Sequence, residues 1–443
     1  MGATAEQQLV DTLIHARWII PVVPVDTLLN DCSIAIQDGQ IIAILPTAEA
    51  KRRYSARNTQ ELKQHLVIPG LINVHNHAAM TLLRGYADDK PLKQWLEEHI
   101  WPAEGQWVDE NFVADGAKLS AAEMIRSGTT TFSDMYFFPE ETAKVALEAG
   151  MRCQLAFPIL DFPTAWGQGP DDYIHKGLAL HDDYRSHPNI NVVFGPHAPY
   201  TVSDEPLQRI ATLAEEMQCP VQIHLHETQQ EVDEAVEQSG ERPIERLNRL
   251  GLLSPLTQCV HMTALSPNDI ELLSQTGAHV VHCPESNLKL ASGFCPVKDL
   301  QAAGINVALG TDGAASNNDQ DLLGEMNTAA LLAKGVSGDA SAVSAHEALR
   351  MATLNGAKAL GLEASIGSLE VGKQADITAI ALDQLEQSPL YNPISALSYS
   401  NVSRQVSHVW CDGQLLLADR ELKTLDAKAI QDAASQWQTR IAP

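Results

Sequence analysis

The feature that most constrains the fold is a repeated alternation of short β-rich runs with helical stretches, which begins near residue 66. Each run ends in His, Asp, Glu, Thr or a Pro turn. The eight runs cover residues 66–77, 129–134, 152–161, 191–197, 220–227, 258–263, 278–284 and 305–312. Repeated βα units predict parallel strands, and eight of them predict a (β/α)8 TIM-type barrel. In such a barrel the functional side chains collect at the carboxyl ends of the strands.

The two ends of the chain have a different pattern, in which apolar and polar residues alternate around Asp-Gly pairs. Asp38-Gly39 and Asp412-Gly413 each predict a hairpin turn. Two β-rich ends that flank a barrel predict one small β-sandwich domain built from both. We expect residues 1–66 and 369–443 in that domain and residues 67–368 in the barrel. Residues 344–360 have helical spacing and predict a single amphipathic helix.

Charge and cysteine content exclude several classes of function. Thirty Lys and Arg against 56 Asp and Glu give a net charge of −26, which repels nucleic acids and anionic membranes. A small molecule is therefore the expected partner. Seven cysteines without a CxxC pair predict neither a disulfide framework nor a cysteine-based zinc site, and the start of the chain has no export signal. We expect a cytoplasmic homo-oligomer.

Histidines at two strand ends are the first candidates for chemistry. His75 and His77 end the first run, and residues i and i+2 of a strand share one face, as two ligands of one metal must. At the end of the fifth run, His224 offers a third imidazole, with His226 as a competing ligand. Glu227 follows and could exchange protons with a metal-bound water. Each motif alone is also compatible with solvated surface histidines.

Two further residues turn these motifs into a constellation. His261 ends the sixth run, and Asp312 ends the eighth. A single buried His or Asp at a strand end is often structural. Side chains from the ends of strands one, five, six and eight, however, converge on one mouth of a barrel, which is a common place for a metal hydrolase site.

These motifs resemble those of the amidohydrolase superfamily. The resemblance rests on residues 75–77, 224–227, 281–290 and 310–312. Within the superfamily the chain looks like the 5-methylthioadenosine/S-adenosylhomocysteine deaminases, which are related to guanine deaminases and triazine hydrolases. This narrower resemblance rests on residues 81–85, 95–104 and 196–201.

The resemblance implies a role for each candidate residue. The implied metal ligands are His75, His77, His224 and Asp312. The implied catalytic residues are Glu227 as general acid/base, His261 beside the attacking water, and Asp312. The implied substrate-binding residues are Glu104, which accepts the ribose hydroxyls, together with His197, Glu227 and Asp312. The chain departs from the family at His226, where a small residue is usual, and at Ala156-Phe157-Pro158, where related deaminases often carry an Arg.

One divalent ion is expected. Binuclear members of the superfamily bridge two metals with a modified lysine or another carboxylate on a middle strand, and residues 152–160 and 191–199 contain no lysine. Three imidazoles and a carboxylate suit Zn²⁺ best, although Fe²⁺ and Mn²⁺ accept the same donors.

The expected function is hydrolytic deamination of an adenine nucleoside, which converts methylthioadenosine or S-adenosylhomocysteine to the inosine analogue and ammonia. The sequence leaves the preferred nucleoside open. Deamination of guanine or 8-oxoguanine, triazine hydrolysis and a catalytically inactive structural homologue are the alternatives. Glu104 separates the first two from the main hypothesis, because a free base or a triazine has no ribose diol to bind.

Overall fold

The computed structural model describes residues 7–442, so the first six residues and the last residue of the predicted small domain lie outside it. Its strands are β1 Gln8–Ile19, β2 Leu29–Gln37, β3 Gln40–Pro46, β4 Tyr54–Pro69, β5 Leu71–Asn76, β6 Thr129–Asp134, β7 Arg152–Ile159, β8 Ile190–Pro196, β9 Val221–Leu225, β10 Thr257–His261, β11 His279–His282, β12 Val307–Leu309, β13 Ile377–Ala381, β14 Val406–Cys411, β15 Gln414–Ala418 and β16 Glu421–Leu422.

Helices follow most of the barrel strands. They are α1 Thr47–Arg53, α2 Leu92–Trp95, α3 Trp101–Trp107, α4 Glu110–Arg126, α5 Pro139–Ala149, α6 Pro170–Tyr184, α7 Asp204–Met217, α8 Gln229–Ser239, α9 Pro243–Arg249, α10 Pro267–Thr276, α11 Pro284–Lys289, α12 Val297–Ala302, α13 Leu322–Ser337, α14 Ala345–Met351, α15 Leu354–Ala359, α16 Pro393–Tyr399 and α17 Ala427–Ile441. Short 3-10 segments cover Ala78–Leu83, Leu385–Gln387 and Ser403–Gln405, and a π-helical turn covers Leu96–Ile100.

The eight strands β5 to β12 form one parallel sheet in chain order. A hydrogen bond from the backbone amide of Asp312 to the carbonyl oxygen of His75, 3.0 Å long, joins the chain after the eighth strand to the first strand. The strand pattern therefore closes on itself, and the predicted barrel is confirmed. Closure brings the ends of the first and eighth strands together, where two of the candidate motifs lie.

Both ends of the chain contribute to a second, mixed sheet, in the order β16-β15-β14-β13-β4-β1-β2-β3. The two predicted hairpin turns are present, because Asp38, Gly39, Asp412 and Gly413 all have φ between 51° and 78°. The turns also touch, since a Cβ at Gly413 would lie 2.8 Å from the Cα of Gly39. A small β domain made from both ends is thus confirmed, while its boundaries at residues 66 and 369 stay a prediction.

The helix predicted over residues 344–360 is two helices, α14 and α15, with a break at Ala352 and Thr353. The carbonyl oxygen of Ala352 accepts a hydrogen bond from the backbone amide of Ile72 in β5, 2.9 Å long. At Thr353 the backbone has φ −133° and ψ −92°, which is outside the helical region. The helical period in the sequence was correct, but a contact with a strand nearly 300 residues away interrupts it.

The seven cysteines are buried and carry free thiols, as the absence of a CxxC pair predicted. Across residues 7–442 there is no helix with both the length and the apolar character that a bilayer span requires.

Candidate active site

The residues predicted to carry chemistry meet at the carboxyl end of the barrel. His75 and His77 lie at the end of β5, His224 in β9, His261 at the end of β10, and Asp312 just after β12. Four residues at these ends have left-handed backbone, with φ of 51° at His226, 76° at His261, 53° at Met262 and 60° at Asp312. Such conformations cost about 1–3 kcal/mol each in residues other than glycine, and they cluster at functional sites.

Three pairs of donor atoms in this cluster have the spacing expected of ligands that share one metal ion. The Oδ1 atom of Asp312 lies 3.5 Å from Nε2 of His75 and 3.2 Å from Nε2 of His77. The Nε2 atoms of His75 and His224 are 3.1 Å apart. Donors that share a tetrahedral ion at bond lengths of about 2.0–2.1 Å lie about 3.3 Å from one another. These three spacings fit one ion of the size of zinc. His75 belongs to both groups of donors that lie within 4.8 Å of one another, one with His77 and Asp312 and the other with His224 and His261.

Hydrogen bonds at the other ring nitrogen set the tautomer of these three histidines. The Nδ1 atoms face oxygen acceptors: Gln222 Oε1 at 2.9 Å for His75, the Met135 carbonyl at 2.6 Å for His77, and the His197 carbonyl at 2.7 Å for His224. Each Nδ1 therefore carries the proton, which leaves the Nε2 lone pair free for a metal. Burial lowers the pKa of His75 and of His224, so both rings stay neutral, as ligation requires.

His261 has the opposite arrangement. Its Nδ1 atom faces the amide nitrogen Nδ2 of Asn287 at 3.0 Å, so Nδ1 accepts and Nε2 carries the proton. A ring nitrogen of His261 lies within 4.8 Å of nitrogens of His75 and His224, which on distance alone makes it a metal candidate. The tautomer favours another role, because a protonated Nε2 donates a hydrogen bond and has no lone pair for a metal. Its closest acidic neighbour is Glu227, with Nε2 to Oε2 of 3.6 Å.

Three donors bind the carboxylate of Asp312, and its Oδ1 atom also faces the Nε2 atoms of His75 and His77. The hydroxyls of Ser286 and Ser316 donate to Oδ2 at 2.7 and 2.8 Å, and the amide of Gly313 donates to Oδ1 at 2.8 Å. Hydrogen bonds to a carboxylate favour its charged form. Gly310 lets the chain pass close to the first strand, since a Cβ there would lie 2.8 Å from the Cβ of His75.

Glu227 is buried beside this cluster. Burial, together with the negative charges of Asp312 and Glu231, raises the pKa of Glu227 well above its ordinary value. The carboxylate of Glu231 accepts hydrogen bonds from the backbone amides of His226, at 3.0 Å, and of Glu227, at 2.8 Å. This pair of bonds fixes the left-handed turn that aims Glu227 at the mouth of the barrel. A carboxyl with a raised pKa is suited to carry a proton at neutral pH.

One cavity of about 320 Å³ opens above the cluster and includes His77, His224, Glu227, His261 and Asp312 among its walls. Its volume is in the range of small-molecule sites. Glu104, on α3, lines the same cavity, and the hydroxyl of Tyr136 donates to its Oε1 at 2.7 Å. Burial raises the pKa of Glu104 to about 7. His197 also lines the cavity, and burial lowers its pKa to about 3, so its ring is neutral.

His226, the competing ligand, turns away from this cavity. Its Nδ1 lies 3.0 Å from the carbonyl oxygen of Ala264, and its Nε2 accepts the amide of Ile244 at 3.1 Å. Both ring nitrogens are therefore occupied, and His226 has none free for a metal. Its size does not reshape the cavity, because it is not part of the wall.

At the second departure from the family pattern, Phe157 does not line the cavity and packs on Phe194, with ring centroids 5.2 Å apart. Pro158 and Leu160 form the cavity wall there instead. The chain thus presents apolar surface where related deaminases often carry an Arg.

Sequence reasoning missed four residues that hold the site: Tyr136, Gln222, Glu231 and Asn287. Asn287 lies in the motif 281–290 that carried the resemblance, so that motif was a usable signal. Glu231 is four residues after Glu227, a spacing that places it at the start of α8. Tyr136 and Gln222 belong to no pattern, because only the folded barrel brings them to the residues that they contact.

Residues 66–416 match the amidohydrolase family. The chain belongs to the amidohydrolase family. A curated 5-methylthioadenosine/S-adenosylhomocysteine deaminase from Saccharophagus degradans is 58% identical to it over 431 residues, which are 97% of each chain. A protein of the same name from Teredinibacter turnerae is 56% identical over 432 residues, 98% of each chain.

A solved structure gives the same result for the fold of this amidohydrolase. An adenosine deaminase from Xanthomonas campestris, crystallised with bound zinc, is 47% identical and has a TM-score of 0.97, covering 98% of this chain and 99% of that chain. The resemblance predicted from the motifs is therefore confirmed, and within the amidohydrolases the chain groups with the nucleoside deaminases. A divalent metal site in this family agrees with the donor set described above.

Proposed function

We propose that this amidohydrolase is a metal-dependent deaminase of adenine nucleosides that carry a thioether at the 5′ position. The observation that carries the proposal is the shared cavity, in which the carboxylate of Glu104 faces the same space as Glu227, His261 and Asp312. The curated relatives named above carry that activity in their names. A guanine or a triazine has no ribose diol for Glu104 to bind.

The roles follow from the contacts. A divalent ion held by His75, His77, His224 and Asp312, for which zinc is the best match to the donors, would activate a water molecule for attack. Asp312 and the Nε2 proton of His261 orient that water. Glu227 takes a proton from it and delivers the proton to N1 of the purine, which makes C6 electrophilic. Addition of the water oxygen at C6 gives a tetrahedral carbon. The remaining proton of that oxygen passes to the amino group, which leaves as ammonia, and the inosine analogue remains.

Substrate binding completes the proposal. Glu104 accepts the ribose hydroxyls through the lone pairs that Tyr136 does not use. His197, a neutral ring at the wall, contacts the base. The protein acts on a small nucleoside in the cytoplasm, without nucleic acid or membrane partners, and as a homo-oligomer.

The test is a panel assay of ammonia release. Protein reconstituted with zinc is given methylthioadenosine, adenosine, guanine and a triazine at equal concentrations. Methylthioadenosine should be the best of the four. Turnover of guanine or the triazine in preference to both nucleosides would reject the proposal, and so would the absence of ammonia from every compound.

A further inference from the structure

We infer that the cavity selects an uncharged 5′ substituent and discriminates against the zwitterionic homocysteine tail of S-adenosylhomocysteine. The inference rests on the proposed function, because it concerns which nucleoside the same site accepts. The relatives' shared name covers two substrates that differ only at the 5′ position, one ending in a methyl group and the other in an ammonium and a carboxylate.

The position of Glu104 locates the 5′ end. With the base at the histidine cluster and the ribose at Glu104, the 5′ substituent continues toward the outer part of the cavity. Trp101 lies three residues before Glu104 in α3, so the two side chains share one face of that helix. The ring of Trp101 packs edge-on against Phe162, with centroids 6.2 Å apart. The surface that meets the 5′ substituent is therefore aromatic.

Among the described residues, the walls around these two rings contain no lysine or arginine for a carboxylate to pair with, and the hydroxyl of Thr164 beside Phe162 is a neutral donor. Many of the other lining side chains are apolar, among them Leu92, Leu96, Ile100, Leu160 and Pro163. Phe162 is 39% exposed although it forms part of the wall, so a methylthio group seated against it would bury apolar surface and stabilise the complex.

Two lysines next to the wall in sequence, Lys93 and Lys289, are already paired with carboxylates, whereas Lys90 has no carboxylate within 4.0 Å among the described residues. Lys93 pairs with Glu234 at 3.1 Å and Lys289 pairs with Asp88 at 2.7 Å. Lys176, which is farther from the wall in sequence, pairs with Asp172 at 2.9 Å. The π-helical turn that supplies Leu96 also carries the exposed Glu97 and Glu98. When S-adenosylhomocysteine binds, the carboxylate of its homocysteine tail would leave water and face apolar walls and an acidic rim. Burying a charge without a partner is unfavourable.

The test uses nucleosides that separate charge from size. The kcat/KM for ammonia release is measured for adenosines whose 5′ groups are methylthio, n-butylthio, 3-carboxypropylthio and homocysteine. The butyl group matches the homocysteine chain in length but has no charge. We expect the methylthio and butylthio compounds to agree within about fivefold, and both charged compounds to be slower by about tenfold to a hundredfold.

Variants at Phe162 and Lys90 test whether the apolar lining causes the discrimination between the two nucleosides. Phe162→Arg places a cation at the aromatic surface and should raise kcat/KM for S-adenosylhomocysteine relative to methylthioadenosine by about tenfold. Phe162→Leu, which keeps an apolar side chain, should leave that ratio in favour of methylthioadenosine. Lys90→Ala removes a nearby lysine that does not line the cavity. This variant should change kcat/KM neither for methylthioadenosine nor for S-adenosylhomocysteine.

Three results would overturn the inference: equal rates for methylthioadenosine and S-adenosylhomocysteine, a butylthio compound as slow as the homocysteine one, or a ratio that depends on Lys90. Any of them leaves the proposed function intact if methylthioadenosine is deaminated. Failure of the proposed function appears separately, as the absence of ammonia from all four nucleosides.

Discussion

Replacing Glu104 with alanine should weaken nucleoside turnover without changing metal content. In the structure Oε1 of Glu104 already accepts a hydrogen bond from Tyr136, and Oε2 has no donor among the described residues. Two acceptor positions are therefore free for the two ribose hydroxyls. The cluster of His75, His77, His224 and Asp312 shares no hydrogen bond with Glu104, so the metal donors should keep their geometry.

The size of the effect follows from the strength of such bonds. Hydrogen bonds to a charged group contribute about 1.5–3 kcal/mol each, and about 1.4 kcal/mol changes a rate tenfold. In Glu104→Ala, water can enter the space and satisfy part of the diol, so the net loss is nearer to one bond than to two. We expect kcat/KM for methylthioadenosine to fall by about tenfold to a few hundredfold.

The assay is a cycle that compares methylthioadenosine with its 2′,3′-dideoxy analogue in the wild type and in Glu104→Ala. The wild type should prefer the ribose strongly, and the variant should lose most of that preference. Glu97→Ala, which removes an exposed carboxylate near the same helix, is the matched control and should retain it. Equal discrimination in wild type and Glu104→Ala would mean that Glu104 does not bind the ribose.

The pKa of Glu104 allows a second test of the same prediction, which is the pH dependence of the preference for the ribose. Burial raises the pKa of Glu104 to about 7. The ionised form, which is the better acceptor, is present above that pH, so the preference for the ribose should rise as pH increases through about 7. The hydroxyl of Tyr136 stabilises the ionised form, and Tyr136→Phe should therefore shift the rise to higher pH. In Glu104→Gln the preference should not change with pH in this range.

Three other changes have expected outcomes. Purified protein should contain close to one divalent ion per chain by metal analysis and lose activity to a chelator; full activity after rigorous metal removal would contradict the site. Glu227→Gln should keep its metal and still bind substrate while kcat falls by about a hundredfold or more, and near-normal turnover would assign proton transfer elsewhere. Arg152→Ala should leave the buried Asp376 without its 3.4 Å ion pair and lower the free energy of unfolding by about 3–5 kcal/mol in a denaturant titration, with Arg17→Ala at an exposed pair changing it by less than about 1 kcal/mol.

Much of the fold could be predicted because barrel strands carry local signals. The run predicted at residues 129–134 is strand β6 with the same bounds, and most of the other runs differ from their strands by one to a few residues at either end. The Asp-Gly turns were readable for the same reason, since both residues must adopt positive φ. The break at Ala352 and Thr353 could not be predicted, because it coincides with a hydrogen bond between Ala352 and Ile72, which is distant in the sequence. Local sequence patterns predict local structure. A contact with a distant strand can change that structure although the sequence of the segment gives no sign of it.

The candidate site shows a similar division. The positions of His75, His77, His224, His261 and Asp312 could be anticipated, because each ends a strand and the ends of parallel strands meet. The environment of each residue could not. Glu104 follows a long loop, and nothing near it in sequence predicts that Tyr136, 32 residues later, donates to its carboxylate. His226 is indistinguishable from a ligand in sequence, and only its bonds to Ala264 and Ile244 remove it from the set.

What separates the proposed metal ligands from the proposed proton donor, His261, is the partner of Nδ1. Gln222 lies 147 residues from His75, and Met135 lies 58 residues from His77. Both supply oxygen, so the inner nitrogens are free to bind a metal. Asn287, 26 residues from His261, supplies an amide hydrogen, so the inner nitrogen of His261 carries a proton. Histidines that look alike in sequence thus acquire different chemistry from residues that strand packing brings to their outer edge. If this reasoning is right, Asn287→Asp, which replaces the donor with an acceptor, should reverse the tautomer of His261 and lower kcat with little change in metal content.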